Sequence, residues 1–174
     1  MRLLLTALGC SLAVVPAAHG WVIEGERWPG PTVAVWNGTA YAVAVRDAMR
    51  AWGSAGADIR RVAAPARAEA DVVIVYGSKH EEGLAAVGYG QGRSTVALPR
   101  GLGRVAASAL AAHEHGHVLG LGHEARRCAV MAPVVVAGPA SRCGIGACKE
   151  TWRCLLRPDD VAGLVALYGR RASA

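Results

Sequence analysis

Three histidines and a glutamate lie close together in the stretch HEHGHVLGLGH, residues 113–123. On an α-helix, residues four apart share one face, so the imidazoles of His113 and His117 can reach one metal ion. Glu114 lies roughly 100° around the helix from His113, which puts its carboxylate beside such an ion rather than on it. This spacing is typical of a zinc site in which the glutamate serves as a general base.

A tetrahedral zinc site needs a further protein ligand, and the sequence supplies a third histidine. Gly120 can adopt the left-handed conformation that ends a helix and turns the chain back, which would bring His123 to the same ion. Three protein ligands leave one position open, as in catalytic rather than structural zinc sites. The sequence therefore predicts one Zn²⁺ held by His113, His117 and His123, with Glu114 as the catalytic residue.

His115 stands inside the same stretch but points about 200° away from His113 on a helix, so it cannot join the same ion. We expect a packed or partly exposed histidine there.

A short His-Glu-x-x-His match arises by chance fairly often, whereas the longer pattern fixes five positions. Its chance occurrence in a chain of this size is roughly one in ten thousand or less.

Size and composition indicate one exported domain. The first 20 of the 174 residues resemble a signal peptide, with Arg2, an apolar run over 3–15 and small residues before residue 21. That run is too short to span a membrane, and it continues past Cys10, which argues against lipid attachment there. The net charge of +6 is spread along the chain, which disfavours a nucleic-acid partner. Residues 21–174 would form the mature domain.

Hydrophobic periodicity predicts a mixed α+β order of elements along this domain. A continuous β-branched run at 71–76 is typical of a buried central strand. The other predicted elements are strands at 32–36 and 58–62, an edge strand at 87–98, and helices at 41–52, 102–119 and 161–168. Asp159 or Asp160 would cap the last helix, and Gly169 would end it.

Four cysteines follow the zinc stretch: Cys128, Cys143, Cys148 and Cys154. In an exported protein this even count predicts two disulfides, for which three pairings remain open. A second zinc site is less well supported, because these cysteines contain no Cys-x-x-Cys pair.

The zinc stretch, Met131 and the last helix together resemble metzincin zinc endopeptidases, and most closely the matrixins (peptidase M10 type). Met131 lies eight residues past His123, the matrixin distance for the methionine of the Met-turn. The resemblance implies a metzincin catalytic domain with a twisted, mostly parallel sheet, an antiparallel edge strand, a zinc helix, a Met-turn and a C-terminal helix. It also implies that Met131 packs beneath the histidines.

The chain departs from matrixins at several positions. Glu124 follows the third histidine where matrixins usually have serine, a feature similar to astacins. The only cysteine upstream of the site is Cys10, so the cysteine latch of matrixin zymogens is not expected. The short 77–83 loop, with His80, Glu81 and Glu82, does not match the structural zinc and calcium loop of matrixins, so calcium is not indicated. Residues 134–136 replace a tyrosine-containing pocket segment, which leaves substrate preference open.

The resulting expectation is a secreted, monomeric zinc endopeptidase without stable membrane association, acting on protein or peptide substrates. An extended peptide would pair with the edge strand near Ser94, Val96 and Leu98. Two alternatives stay open: a catalytically silent, zinc-stabilised binding domain, and a zinc hydrolase of non-protein amides.

Overall fold

The computed structural model describes residues 20–78, 84–90, 92–125, 128–133 and 150–172. Within these ranges one sheet is accompanied by three α-helices. The strands are β1 (Thr32–Asn37), β2 (Arg60–Ala63), β3 (Val72–Tyr76), β4 (Leu84–Ala85) and β5 (Ser94–Leu98). The helices are α1 (Ala42–Gly53), α2 (Arg104–Val118) and α3 (Pro158–Tyr168), and a short 3-10 helix covers Thr151–Cys154.

Some sequence predictions fall outside the described residues. They concern the signal segment with Cys10, the loop residues His80, Glu81 and Glu82, the valines at 134–136, and the cysteines Cys143 and Cys148. None of the helices in the described ranges is both long and apolar enough to cross a membrane.

The sheet has the strand order β2-β1-β3-β5-β4. Every neighbouring pair is parallel except β4 and β5, which are antiparallel. The predicted α+β fold is therefore confirmed: a mostly parallel sheet with one antiparallel edge strand. The β-branched run that forms β3 occupies the middle of the sheet, as its continuous apolar character predicts.

The predicted edge strand at 87–98 is wrong. Only Ser94–Leu98 form a strand, and that strand lies between β3 and β4, with Ala97 and Val96 paired to Leu84 and Ala85. Apolar and polar residues alternate in this segment because only one face of the strand is buried. Inner and edge strands can both show this pattern, so it does not distinguish them. The edge strand on this side of the sheet is the two-residue β4, which is too short to stand out in the sequence.

The core lies between the sheet and the two longer helices. Alternate strand residues face one side of a sheet, and three such pairs join α1 and α2 in a single apolar cluster. These pairs are Val33 and Val35, Val72 and Ile74, and Val96 and Leu98. The alanine-rich α2 is almost wholly buried from Ala107 onward, so the helix that bears the metal-binding pattern is held on a rigid sheet.

Candidate metal centre

Helix α2 carries His113, Glu114 and His117 in its last two turns. It ends just before Gly120, whose φ of 97° lies in the left-handed region that the sequence pattern required. A Cβ at Gly120 would also lie 2.9 Å from the carbonyl oxygen of Gly25 and from Leu167 Cδ2. Conformation and crowding both demand glycine here, and the resulting turn brings His123 back to the helix.

The Nε2 atoms of the three histidines converge on one point. His117 Nε2 lies 3.0 Å from His113 Nε2 and 3.1 Å from His123 Nε2, and the remaining pair is 3.3 Å apart. Tetrahedral zinc with bonds of about 2.05 Å separates its nitrogen ligands by about 3.3 Å. The three nitrogens therefore fit a zinc ion, and His123, the exposed member of the group, leaves one side of the site accessible.

Hydrogen bonds fix the tautomers of the two buried ligands. His113 Nδ1–H donates to Val130 O at 2.7 Å, and His117 Nδ1–H donates to Leu121 O at 2.9 Å. Each Nε2 then carries a lone pair, the form that binds metal. Burial lowers the pKa of His113 to about 4, against the opposing bond to Val130, and burial also lowers the pKa of His117. Both imidazoles are therefore neutral and ready to bind a cation.

Glu114 is buried to 2% exposure, and its Oε2 has no hydrogen-bond partner among the described residues. Burial raises its pKa to about 7. A cation bound by the neighbouring histidines would favour the ionised form of Glu114 and so would oppose this rise of its pKa. A buried carboxylate with a free oxygen and a pKa near neutrality is suited to accept a proton.

The turn at residues 129–132, which carries Met131 and is called the Met-turn below, is tied to α3 by one carboxylate. Asp160 accepts hydrogen bonds from the backbone N–H groups of Val130 at 3.0 Å and Met131 at 3.2 Å. The same side chain accepts from Arg157 N–H at 2.7 Å, so it also caps α3, as predicted for Asp159 or Asp160. Since Val130 O in turn receives the His113 N–H, Asp160 holds the turn that orients a metal ligand. Its role in the turn was not predicted.

Gly116 is a second residue that the sequence reasoning missed. A Cβ there would overlap Met131 Sδ and would lie 3.0 Å from Trp52 Cζ2. The buried Met131 therefore packs directly against the backbone of α2 between His115 and His117. The available signal was the glycine itself, because a helix-interior glycine costs about 1 kcal/mol relative to alanine and needs a packing reason.

Side-chain donors from other elements bind carbonyl groups of α2. Trp52 Nε1–H in α1 donates to Ala112 O at 2.8 Å, directly before the first histidine. At the helix end, Trp28 Nε1–H donates to Val118 O at 2.7 Å, and Tyr168 O–H donates to Leu119 O at 3.0 Å. Carbonyls at a helix end lack partners within the helix, so these bonds fix the position of the terminus that carries His117.

His115 is packed, with 1% exposure, and does not belong to the histidine group. Its Nδ1–H donates to Ala111 O at 2.6 Å, and its Nε2 is buried with no hydrogen-bond partner among the described residues. Burial lowers its pKa to about 4, and the nearby Arg61 contributes in the same direction.

The remaining predicted residues are placed as follows. Ser94, Val96 and Leu98 are buried on the helix-facing side of β5, so their side chains do not form a surface for a peptide. Cys128 and Cys154 are disulfide-bonded, while Cys143 and Cys148 lie outside the described residues, so the pairing stays a prediction.

Comparison with known proteins shows which family this chain resembles. Residues 97–169 match the model of the matrixin peptidase family, a span that runs from β5 through α2 and the Met-turn to the end of α3. The chain is matrixin-like. The matched span contains the three histidines, Glu114 and Met131.

Two curated relatives are similar to this matrixin-like chain. Matrix metalloproteinase-19 of Mus musculus is 45% identical over 64 residues, and the Homo sapiens protein of the same name is 45% identical over 65 residues. Each alignment covers 36% of this chain and 10% of the relative, so the match spans about a tenth of the relatives' length. The matrixin match suggests a zinc metalloendopeptidase, and the fold is consistent with a metzincin catalytic domain.

Proposed function

We propose that the chain is a secreted zinc-dependent endopeptidase that hydrolyses peptide bonds in protein or peptide substrates. The observation that carries this proposal is the convergence of three histidine Nε2 atoms, which lie 3.0 to 3.3 Å from one another beside the helix that carries Glu114. Buried nitrogens with their lone pairs turned toward one another repel, and a shared cation removes that repulsion.

His113, His117 and His123 would hold the zinc, and Met131 would form the apolar floor beneath them. When bound, zinc supplies Lewis acidity that polarises the scissile carbonyl and lowers the pKa of water. Glu114 takes the proton of the attacking water on its free Oε2 and passes it to the leaving nitrogen. Its buried position keeps the carboxylate poorly solvated, which supports proton transfer in both directions near neutral pH.

The substrate main chain would pair with β4, the edge strand, rather than with β5 as the sequence pattern first indicated. Val96 and Ala97 of β5 are already paired with β4, whereas Leu84 of β4 is 55% exposed. An extended peptide can add to such an edge through main-chain hydrogen bonds, which gives affinity without strong sequence selectivity.

The cellular context belongs to the same proposal. An export signal at residues 1–20 would deliver the enzyme to an oxidising compartment, where Cys128, Cys143, Cys148 and Cys154 form two disulfides. The mature enzyme would act as a monomer without stable membrane association, and zinc would be its one metal cofactor.

Digestion of casein and gelatin by the purified protein, with and without a zinc chelator, tests the proposal. We expect chelation to stop cleavage, and added zinc to restore it. Glu114→Ala should bind zinc but not digest either protein. The matched control is Glu69→Ala, which removes an exposed glutamate outside the site and should digest both at the wild-type rate.

The same assay separates the two alternatives. A protein that binds one zinc yet cleaves neither substrate at any concentration of enzyme would be a silent binding domain. A protein that spares casein and gelatin but releases products from amide-linked cell-wall material would be an amidase.

A further inference from the structure

The segment formed by residues 22–26 lies beside the metal centre, against the turn that follows α2. The backbone N–H groups of Glu24 and Gly25 both donate to Gly120 O, at 3.0 and 3.1 Å. Gly120 is the residue whose left-handed conformation returns the chain to His123. The segment is therefore fixed to the turn that brings the third histidine to the other two.

The same segment is also held on its other side. Tyr89 N–H donates to Glu26 O at 2.9 Å, and Gly88 N–H donates to His117 O at 2.8 Å. A Cβ on Gly25 would lie 2.6 Å from Gly88 N, so the two backbones are in direct contact there. Backbone contacts on two sides fix the place from which the side chain of Glu24 extends.

The carboxylate of Glu24 lies against Gly122, the residue directly before His123. A Cβ on Gly122 would overlap Glu24 Cδ and would lie 2.6 Å from Glu24 Oε1. The glycine therefore leaves the space that this carboxylate occupies. Both Glu24 and His123 are exposed, so the carboxylate lies on the accessible side of the metal centre.

The charge of Glu24 acts on the metal centre and is not neutralised by an ion pair within the described ranges. Burial lowers the pKa of His117, and the negative charge of Glu24 opposes this shift. The two ion pairs between described residues use other carboxylates, those of Asp47 and Glu150. An exposed negative charge beside the metal centre attracts cationic groups of a bound substrate.

We propose that Glu24 is a specificity-determining residue, which favours peptide substrates that carry lysine or arginine near the scissile bond. The inference rests on the proposed peptidase function and names a substrate class for the same site. Lysine and arginine combine a cationic end with an apolar stem. Val22, two residues before Glu24 on the same face of this extended stretch, is 39% exposed and offers an apolar surface for the stem.

Cleavage of matched peptides tests the proposal. The peptides are built on a casein segment that the wild type cleaves, with lysine or its uncharged match, acetyl-lysine, placed in turn at each of the three positions on either side of the scissile bond. An exposed ion pair stabilises by at most about 1 kcal/mol, so we expect kcat/KM to favour lysine about threefold at one or more positions.

Two variants of Glu24 and one control assign the preference to this residue. Glu24→Gln keeps the shape of the side chain and should lower the ratio of lysine to acetyl-lysine cleavage to about one, and Glu24→Lys should reverse it. Both variants should still bind one zinc per chain. The matched control is Glu69→Gln, which removes the same charge from an exposed residue outside the metal centre and should keep the preference.

Peptide binding provides a measurement that does not depend on turnover. Zinc-loaded Glu114→Ala should bind the fluorescently labelled lysine peptide about threefold more tightly than the acetyl-lysine peptide, and adding Glu24→Gln should remove the difference.

Equal cleavage of the two peptides at every position, or a lysine preference that survives in Glu24→Gln, would overturn the inference. Loss of zinc from Glu24→Gln with an unchanged preference would overturn it as well, because Glu24 would then support the metal rather than select the substrate. A wild type that cleaves no peptide would refute the proposed function, whereas lysine-selective binding that depends on Glu24 would still support this inference.

Discussion

Replacement of His115 by leucine tests whether this residue is a packed histidine inside the metal-binding stretch. His115 is 1% exposed, and burial lowers its pKa to about 4, against about 6.5 in an unfolded chain. Between these pKa values His115 binds a proton in the unfolded state but not in the folded state. The free energy of unfolding therefore falls as the pH drops from 6.5 toward 4. Above about pH 7.5 the residue is neutral in both states and contributes no pH dependence.

The magnitude follows from the two pKa values. Between pH 8 and pH 5, proton uptake by His115 in the unfolded chain lowers the free energy of unfolding by about 2 kcal/mol. His115→Leu removes this loss, so its stability should fall less than that of the wild type over the same interval. The zinc ligands titrate in both proteins. Their contributions cancel when the pH-dependent loss of stability of the variant is subtracted from that of the wild type.

Urea unfolding of zinc-saturated wild type and His115→Leu at pH 8 and pH 5 provides the measurement. We expect the wild type to lose about 2 kcal/mol more than the variant. The variant should also retain one zinc per chain and cleave peptide within about threefold of the wild-type rate, because His115 binds no metal. A difference below about 0.5 kcal/mol, or loss of zinc from the variant, would refute the reasoning.

Two further variants test the support of the metal site, and a third tests the buried charge of Arg61. Gly116→Ala should lower the free energy of unfolding by about 1–2 kcal/mol and weaken zinc binding, because the added Cβ overlaps Met131. Urea unfolding and zinc titration measure the two effects. Its control, Gly53→Ala, meets no atom within 4 Å and should not destabilise the protein. Asp160→Asn should cost about 1–3 kcal/mol and weaken zinc binding, because two of the backbone donors of the Met-turn lose a carboxylate; equal zinc affinity would contradict this. Arg61→Met should leave stability in urea equal or higher at pH 7, because it removes an unpaired buried charge, and a loss above about 1 kcal/mol would contradict the account of that charge.

The sequence predicted most where a feature depends on local spacing. The histidines at 113 and 117 share a helix face whatever surrounds them, and the positive φ of Gly120 follows from the need to return the chain to His123. The apolar run of β3 likewise predicted a central strand without knowledge of its neighbours. These inferences require only the periodicity of the backbone.

Features that depend on contacts between distant segments could not be predicted. The alternation of residues 94–98 did not reveal that Leu84 and Ala85 pair with that strand, because two residues carry no periodicity. Two of the three hydrogen bonds of Asp160 join segments about 30 residues apart, and a single sequence does not show this proximity. The burial of Arg61 is also a property of packing, since exposed and buried arginines are identical in the sequence.

The central claim is that Glu114 transfers protons at a zinc ion held by three histidines. It is tested most directly by measuring zinc content and kcat/KM for a quenched-fluorescence peptide, side by side in the wild type and in Glu114→Ala. The account predicts one zinc per chain in both proteins and a loss of about 10²- to 10⁴-fold in kcat/KM for the variant. Wild-type turnover by zinc-loaded Glu114→Ala would contradict it.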